Sequence, residues 1–262
     1  MELRIDGKPA FVATGGWPFD PILPTVLLVH GAGMDHTVWA LQARYFAHRG
    51  RSVLAVDLPG HGRSIGPALG SIREIADWLA RLIEAAGVDR AALAGHSMGG
   101  LAALDCAARY AGRVRALALL GAAASMPVDP DLLAAAEAND HAAFDMVNLW
   151  GHSRAAQVGG NPAPGLWRTG AGIRLLERAD SGVLHTDLKA CSAYGEATEM
   201  ATQVACPTLL ILGARDAMTP PHGAERLCRA IPGARTIVLE QCGHMLMAEQ
   251  PNEVLDALVG IL

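Results

Sequence analysis

Short apolar runs alternate with longer amphipathic runs along most of this chain, a pattern typical of strands that alternate with helices. Runs rich in Val, Ile, Leu and Ala predict strands at residues 26–29, 53–56, 91–94, 114–120, 207–212 and 235–239. Helical periodicity between them predicts helices near residues 38–47, 72–83, 101–110, 222–230 and 253–262. The alternation predicts a mostly parallel sheet covered by helices on both faces, with ligands at the carboxyl ends of the strands.

Two segments depart from this alternation. Asp6-Gly7 is a strong hairpin signal, so residues 3–14 are predicted to form two short strands at an antiparallel edge of the sheet. Residues 125–203 show helical fragments separated by Gly/Pro patches and no clear buried strand. We therefore expect a core domain of residues 1–124 and 204–262, with residues 125–203 inserted as a helical segment.

Composition narrows the class of protein. With 262 residues, 51% hydrophobic and 18% charged, the chain is globular and long enough to bury a large core. The net charge of -5 and the absence of a Lys/Arg cluster argue against nucleic acid or an anionic membrane as partner. Five scattered cysteines without a CxxC pattern are typical of reduced thiols.

The sequence also carries no signal peptide or membrane-spanning apolar run, which predicts a cytoplasmic protein. It shows no metal-ligand spacing and no dinucleotide fingerprint, so no cofactor and no metal are expected. The expected partner is a small-molecule substrate, with the chain acting as a monomer or homodimer.

Gly95-His96-Ser97-Met98-Gly99-Gly100 joins a predicted strand to a predicted helix. In that context G-x-S-x-G indicates a nucleophile elbow, where the serine hydroxyl stands clear of the sheet at a strained turn. The alternative is a glycine-rich turn whose serine only caps the helix.

A serine hydroxyl attacks poorly at neutral pH unless a histidine takes its proton and an acid orients that histidine. Asp216 follows the predicted strand at 207–212, and His244 follows the one at 235–239. Each has a simpler alternative, a turn cap for Asp216 and a loop histidine for His244. The order Ser97, Asp216, His244 favours a catalytic triad. A competing acid after Leu120 is disfavoured, because the first carboxylate there is Asp129.

Acyl transfer also needs donors for the oxyanion. We expect the backbone N–H groups of Met98, which follows the nucleophile, and of Ala32 in His30-Gly31-Ala32-Gly33, with Gly33 as the alternative. Supporting roles are expected for four further polar residues: backbone hydrogen bonds for His30 and His61, a support for the elbow for His96, and a turn anchor for Asp57. Ser153 lacks a preceding strand and the second glycine, so it is not expected to be a nucleophile.

These motifs, together with residues 57–64 (DLPGHGRS) and the Cys242-Gly243-His244 run, resemble the α/β-hydrolase superfamily over nearly the whole chain outside the insertion. The resemblance implies an α/β fold with an eight-stranded sheet and a helical cap inserted after the sixth strand. It also implies that the cap covers the pocket and determines which substrate the protein accepts.

Ser97 at the elbow argues against haloalkane dehalogenases and epoxide hydrolases, which use aspartate there. The resemblance is greatest to small carboxylesterases, enol-lactonases and thioesterases, so we expect a serine hydrolase that cleaves an ester, lactone or thioester through an acyl-enzyme. A carbon–carbon bond hydrolase is the alternative, although its relatives usually carry a Gly-Pro-Gly oxyanion loop and an asparagine before the serine. A non-catalytic binding protein is the alternative from another class.

If apolar cap residues line the pocket, the substrate is moderately apolar. The candidate substrate-binding residues are Gly33, Phe144, Trp150, Trp167 and Tyr194, with Leu149, Leu166, Leu175 and Leu176 as further apolar candidates. His185, Asp187 and Tyr194 are candidate polar contacts.

Overall fold

A computed structural model describes residues 1–160 and 167–262. Its eight strands form one sheet in the order β1-β2-β4-β3-β5-β6-β7-β8. The strands are β1 (Glu2–Ile5), β2 (Lys8–Ala13), β3 (Thr25–Val29), β4 (Ser52–Val56), β5 (Ala91–His96), β6 (Val114–Leu120), β7 (Thr208–Gly213) and β8 (Arg235–Leu239). The predicted eight-stranded α/β fold is confirmed, and each of the six predicted core strands is present.

The hairpin at the amino terminus forms at the predicted turn. Asp6 and Gly7 both have positive φ, 52° and 76°, as a two-residue turn matched to strand twist requires. β1 pairs antiparallel with β2 and β2 antiparallel with β4, whereas the other neighbouring strands pair parallel. The carboxyl ends of β3, β5, β6 and β7 therefore lie side by side at one edge of the sheet.

Helices connect the parallel strands. They are α1 (Ala40–Ala47), α2 (Ile72–Ala85), α3 (Met98–Arg109), α4 (Pro130–Glu137), α5 (Ala142–Gly151), α6 (Arg154–Gln157), α7 (Arg168–Leu176), α8 (Val183–Ala193), α9 (Ala197–Gln203), α10 (Pro221–Ala230), α11 (Leu246–Glu249) and α12 (Pro251–Val259). Helix α2 begins where the sequence predicts, because the Ser71 side chain accepts a hydrogen bond from the N–H of Glu74.

The two faces of the sheet bury separate apolar cores. One core packs α2, α3, α9 and α10 against side chains such as Leu27, Leu93 and Leu117. The opposite core packs α1, α11 and α12 against Leu28 and Ile211. Burial on both faces explains why the central strands are continuous apolar runs in the sequence.

Within the described residues, helices α4 to α9 lie between β6 and β7. A third, smaller apolar cluster holds α4, α5, α7 and α8 together around Leu132, Val147 and Leu188. Helix α9 instead packs on α3, with Ala197 and Ala201 in the main core. The boundaries 125 and 203 stay a prediction, and Leu166 lies outside the described residues. In the described parts of the chain, no helix combines the length and apolar character that crossing a membrane requires.

Candidate active site

Ser97 occupies a strained turn between β5 and α3. Its φ of 53° and ψ of -116° lie in a region that non-glycine residues rarely adopt. The neighbouring glycines are required by close packing, since a Cβ on Gly95 would lie 2.1 Å from the carbonyl oxygen of Gly99. A Cβ on Gly99 would lie 2.4 Å from the carbonyl oxygen of His30. The turn therefore places the serine where β5 ends, as in a nucleophile elbow.

Asp216 and His244 come together at the adjoining strand ends. His244 Nδ1 lies 2.8 Å from Asp216 Oδ2, so the Nδ1–H tautomer leaves Nε2 free to accept a proton. The backbone N–H groups of Met218 and Thr219 both donate to Asp216 Oδ1 at 2.8 Å. Burial alone would raise the pKa of Asp216, but the charge of His244 and these hydrogen bonds lower it below its usual value.

Thr219 is a further polar member of this group that the sequence analysis did not single out. Its hydroxyl lies 2.7 Å from Asp216 Oδ2, 3.0 Å from the carbonyl oxygen of Gly121 and 3.1 Å from His244 Nδ1. A threonine three residues after an aspartate, ahead of two prolines, is a turn pattern that was visible in the sequence. The expected turn-cap role of Asp216 and its contact with His244 are thus both present.

The backbone around His244 is fixed on both sides. His96 Nε2–H donates to the carbonyl oxygen of His244 at 2.8 Å, and burial lowers the pKa of His96 to about 3, so that its ring is neutral. The N–H of Met245 donates to the carbonyl oxygen of Gly151 at the end of α5. The structure therefore gives His96 the supporting position expected from the sequence.

Glu249 is a second residue that supports the site and that the sequence analysis did not single out. This buried carboxylate accepts hydrogen bonds from the N–H of Gly243 at 3.1 Å and from the N–H of Ser153 at 3.2 Å. It joins the loop that carries His244 to the segment between α5 and α6. Ser153 caps α6 through a 3.3 Å bond from the N–H of Ala156, a helix-capping role rather than a nucleophilic one.

The candidate oxyanion donors flank Ser97. Met98 is the first residue of α3, so its N–H has no acceptor within the helix. Ala32 lines the same cavity as Ser97. The N–H of Gly33 donates instead to Asp187 Oδ2 at 2.8 Å, which favours Ala32 over Gly33 as the second donor.

The other predicted polar residues hold the surrounding turns. His30 accepts a hydrogen bond from the N–H of Leu58 at Nε2, and its Nδ1 lies 2.8 Å from the carbonyl oxygen of Gly31. Asp57 accepts hydrogen bonds from the backbone N–H groups of His36 and Arg63, both at 2.8 Å, as a turn anchor would.

Among the described residues, the group Asp35, His36 and Asp57 brings three possible metal-binding atoms close together. These atoms already have partners: His36 Nδ1 lies 2.7 Å from Asp57 Oδ1, and Asp35 pairs with Arg178 at 3.2 Å. The group is therefore a polar cluster whose members already have partners, formed by the segments that follow β3 and β4.

A cavity of about 150 Å³ opens beside Ser97 and His244. Its lining is mostly apolar and comes from the core and from helices α4, α5 and α8. The lining residues are Ala32, Met34, Ser97, Met126, Pro127, Val128, Asp129, Leu132, Val147, Trp150, Gly151, Leu184, Leu188, Cys191, Ala217, Met218, Thr219, His244 and Met245. No Lys or Arg side chain lines it among the described residues, and residues 161–166 contain no charged residue.

Of the candidate substrate-binding aromatics, Trp150 alone lines this cavity in the described structure. Phe144 packs at the border of the helical cluster beside the His141 ring. Trp167 is 75% exposed and lines a separate groove between α7 and α1. Tyr194 points into the main core, where its hydroxyl donates to Asp105 Oδ2 at 2.7 Å.

The remaining candidates also lie away from the cavity lining. Leu149 is 54% exposed, Leu175 lines the groove with Trp167, and Leu176 packs against the loop at Gly33. His185 does not line the cavity, whereas Asp187 contacts Gly33 directly. Helical spacing does not show which side of a helix faces the cavity, and this is why these assignments differ from the structure.

Comparison with known proteins identifies the family to which this chain belongs. The sequence model of the alpha/beta hydrolase family matches residues 26–257. The chain belongs to this family. It is 33% identical over 235 residues to a pimeloyl-[acyl-carrier protein] methyl ester esterase of Neisseria meningitidis serogroup B, covering 84% of this chain and 85% of that protein. A second esterase of the same description, from Aromatoleum aromaticum, is 31% identical over 88% of this chain and 94% of that one.

Among solved structures, the enol-lactonase from Burkholderia xenovorans LB400 superposes with a TM-score of 0.89 at 23% identity, covering 99% of this chain and 98% of that one. At that identity the match supports the fold alone. The family and the esterase relatives make this alpha/beta hydrolase a hydrolase of the carboxylesterase type.

Proposed function

We propose that this alpha/beta hydrolase is a serine esterase that cleaves small, neutral carboxylic esters through an acyl-enzyme on Ser97. The observation that carries the proposal is the 2.8 Å contact between His244 Nδ1 and Asp216 Oδ2, beside a cavity that Ser97 and His244 both line. A binding protein would have no need of an oriented imidazole beside a strained serine.

In the first half of the reaction, Ser97 Oγ attacks the ester carbonyl carbon while His244 Nε2 takes the hydroxyl proton. Asp216 keeps the imidazole in the required tautomer and stabilises the imidazolium that forms. The N–H groups of Met98 and Ala32 bind the oxyanion. His244 then protonates the departing alcohol.

In the second half, water attacks the acyl-enzyme, with His244 as the base, and the carboxylic acid leaves. The proton cycle closes when His244 returns its proton to Ser97. Because the same donors stabilise both tetrahedral intermediates, loss of one oxyanion donor is expected to slow turnover by ~10²–10³.

The cavity indicates the size and polarity of the acyl group that the site accepts. A cavity of ~150 Å³ holds a group about the size of benzene, so a short or medium acyl chain fits better than a long one. Four methionines, Met34, Met126, Met218 and Met245, give the wall an adaptable apolar surface. Among the described residues, the charged side chains in the lining are the acid Asp129 and, when protonated, His244, which favours a neutral acyl group.

The names of the relatives indicate the alcohol part of the substrate ester. Esterases of the pimeloyl-[acyl-carrier protein] group are named for a methyl ester, so we propose an ester of a short alcohol as the natural substrate class. The esterase relative covers most of both chains, which supports an ester ahead of a lactone or thioester.

The test is hydrolysis of p-nitrophenyl esters from acetate to decanoate, followed with wild-type protein and Ser97→Ala. We expect the highest kcat/KM at about four to six acyl carbons and a loss of at least 10³-fold in Ser97→Ala. Treatment with a fluorophosphonate, followed by peptide mass spectrometry, should place the adduct on Ser97.

Three further compounds distinguish the alternatives: a methyl ester, an enol-lactone and a vinylogous 1,5-diketone. Activity on the diketone with none on esters would identify a carbon–carbon bond hydrolase. Ester turnover that survives in Ser97→Ala, or the absence of both turnover and Ser97 labelling, would contradict the proposal.

A further inference from the structure

A buried carboxylate on α8 contacts the loop that carries the proposed oxyanion donor. Asp187 is 1% exposed, and its Oδ2 accepts a hydrogen bond from the N–H of Gly33 at 2.8 Å. Gly33 directly follows Ala32. The bond therefore fixes the peptide group on the carboxyl side of Ala32, the proposed second oxyanion donor.

His61 holds the same carboxylate from the opposite side. Its Nε2 lies 2.8 Å from Asp187 Oδ2, and its Nδ1 lies 3.0 Å from the carbonyl oxygen of Pro59. Both partners are acceptors, so both ring nitrogens donate only when the imidazole is protonated. Burial by itself lowers the pKa of His61, but the charge and hydrogen bond of Asp187 outweigh burial and raise it.

The charged and titratable neighbours are compatible with this ion pair. Asp57 lies close enough to add to the raised pKa of His61. The His30 ring lies 4.8 Å from the His61 ring, and burial lowers the pKa of His30 to about 4, so it is neutral and adds no competing charge. Cys191 on α8 is buried and its pKa is raised, so it stays a thiol.

The side chains that pack around Gly33 are apolar. Gly33 has a φ of 66°, and a Cβ there would lie 3.1 Å from side-chain atoms of Leu176 and Leu184. These contacts are apolar and non-directional, whereas a charge-assisted hydrogen bond sets the orientation of a peptide plane. A buried carboxylate costs free energy unless it accepts hydrogen bonds. Within the described residues Asp187 Oδ1 accepts none, so the bonds from Gly33 and His61 to Oδ2 are those that offset its burial.

We propose that Asp187 is a positioning residue, which acts through Gly33 to hold the loop of residues 30–34 so that the N–H of Ala32 points at the oxyanion. The inference rests on the proposed esterase reaction. It assigns a catalytic consequence to a helix of the inserted segment: α8 orients the oxyanion loop in addition to lining the cavity.

Four variants test this. Asp187→Ala and Asp187→Leu both remove the acceptor, and leucine does so without leaving a void. Asp187→Asn keeps the acceptor, because its amide oxygen in the place of Oδ2 can accept from the N–H of Gly33 and from the Nε2–H of a neutral His61. Lys189→Ala, an exposed position on the same helix, is the control.

With p-nitrophenyl butyrate, we expect kcat to fall at least ~10-fold in Asp187→Ala and Asp187→Leu while KM changes less than ~3-fold, because an oxyanion donor acts in the transition state. Asp187→Asn should keep most of kcat, and Lys189→Ala should equal wild type. A boronic acid inhibitor, whose adduct with Ser97 places an oxygen in the oxyanion hole, should lose affinity in proportion to kcat/KM.

Hydrogen exchange measured by mass spectrometry supplies a readout that needs no turnover. Peptides that cover residues 30–34 should exchange faster in Asp187→Ala and Asp187→Leu, and at the wild-type rate in Asp187→Asn. Unchanged exchange would overturn the proposal even if the protein hydrolysed no ester, and so would faster exchange with unchanged kcat. Failure of the esterase function would appear separately, as wild-type protein without ester turnover or Ser97 labelling.

Discussion

A Cβ added to Gly121 would lie 3.1 Å from His244 Nδ1. Gly121 follows β6, and its φ of 56° turns the chain away at the place where the imidazole of His244 sits. A side chain at this strand end would therefore crowd the histidine ring, and the acid that orients His244 comes from the end of β7 as Asp216.

Gly121→Ala should impair catalysis more than folding. We expect the new methyl group to shift His244 and lower kcat roughly ten- to a hundred-fold, since small displacements of a catalytic group are costly. The left-handed backbone should cost ~1 kcal/mol in the free energy of unfolding. Steady-state kinetics and urea unfolding measure both effects. Gly112→Ala, where a Cβ has open space, is the control. Equal kcat in the two variants would contradict the steric argument.

The loss of Glu249 should affect stability and activity together. Its carboxylate accepts the N–H groups of Gly243 and Ser153, so Glu249→Ala leaves two buried donors unpaired. We expect the free energy of unfolding to fall by about 2–3 kcal/mol and kcat to fall as the His244 loop loosens.

The controls for this variant lie close by. Glu249→Gln keeps one acceptor and should lose less, and Glu253→Ala changes an exposed carboxylate in α12. Urea unfolding and p-nitrophenyl butyrate kinetics on the three variants measure how much the Glu249 hydrogen bonds contribute to stability and to kcat. A Glu249→Ala protein as stable as Glu253→Ala would show that these hydrogen bonds contribute little.

The features that were predictable from the sequence are those whose signals are local. A buried parallel strand is a continuous apolar run, and a two-residue hairpin needs positive φ at residues such as Asp6 and Gly7. The elbow depends on Gly95 and Gly99 because backbone atoms approach them closely. The fold class follows from such signals, and the proximity of Asp216 to His244 follows from the strand ends.

The contacts that escaped prediction join distant parts of the chain or depend on which way a helix faces. Gly33 and Asp187 are 154 positions apart, and no local sequence pattern near either residue predicts their contact. Tyr194 and Trp150 are both aromatic residues of predicted helical segments, yet one turns toward Asp105 in the core and the other toward the cavity. Tertiary packing decides these orientations.

Trp150 should limit the length of the acyl chain. Trp150→Ala enlarges the cavity, so we expect kcat/KM for p-nitrophenyl acetate and butyrate to fall and the optimum to move toward octanoate or decanoate. Trp167→Ala is the matched control, because Trp167 is 75% exposed and lies outside the cavity. Chain-length profiles of both variants test this. The same shift in Trp167→Ala, or none in Trp150→Ala, would contradict the assignment.

Asp129 should discriminate against negatively charged substrates. It lines the cavity, and it caps α4 by accepting the N–H of Asp131 at 2.9 Å. No cation in the described lining offsets its charge, so a free carboxylate on the acyl chain meets repulsion there. Asp129→Asn removes the charge and keeps the cap, since asparagine is an equally good N-cap residue.

We therefore expect Asp129→Asn to raise kcat/KM for the p-nitrophenyl monoester of glutaric acid roughly five-fold, or about 1 kcal/mol for a like-charge pair at an exposed site. The neutral pentanoate ester should be unaffected. The gain should shrink at 0.5 M NaCl, because salt screens exposed charges beyond a few ångströms. Asp131→Asn, an exposed neighbour outside the cavity, should change neither ester. An equal change for both esters in Asp129→Asn would indicate that the substitution altered the shape of the cavity, and charge would then not be the basis of its selectivity.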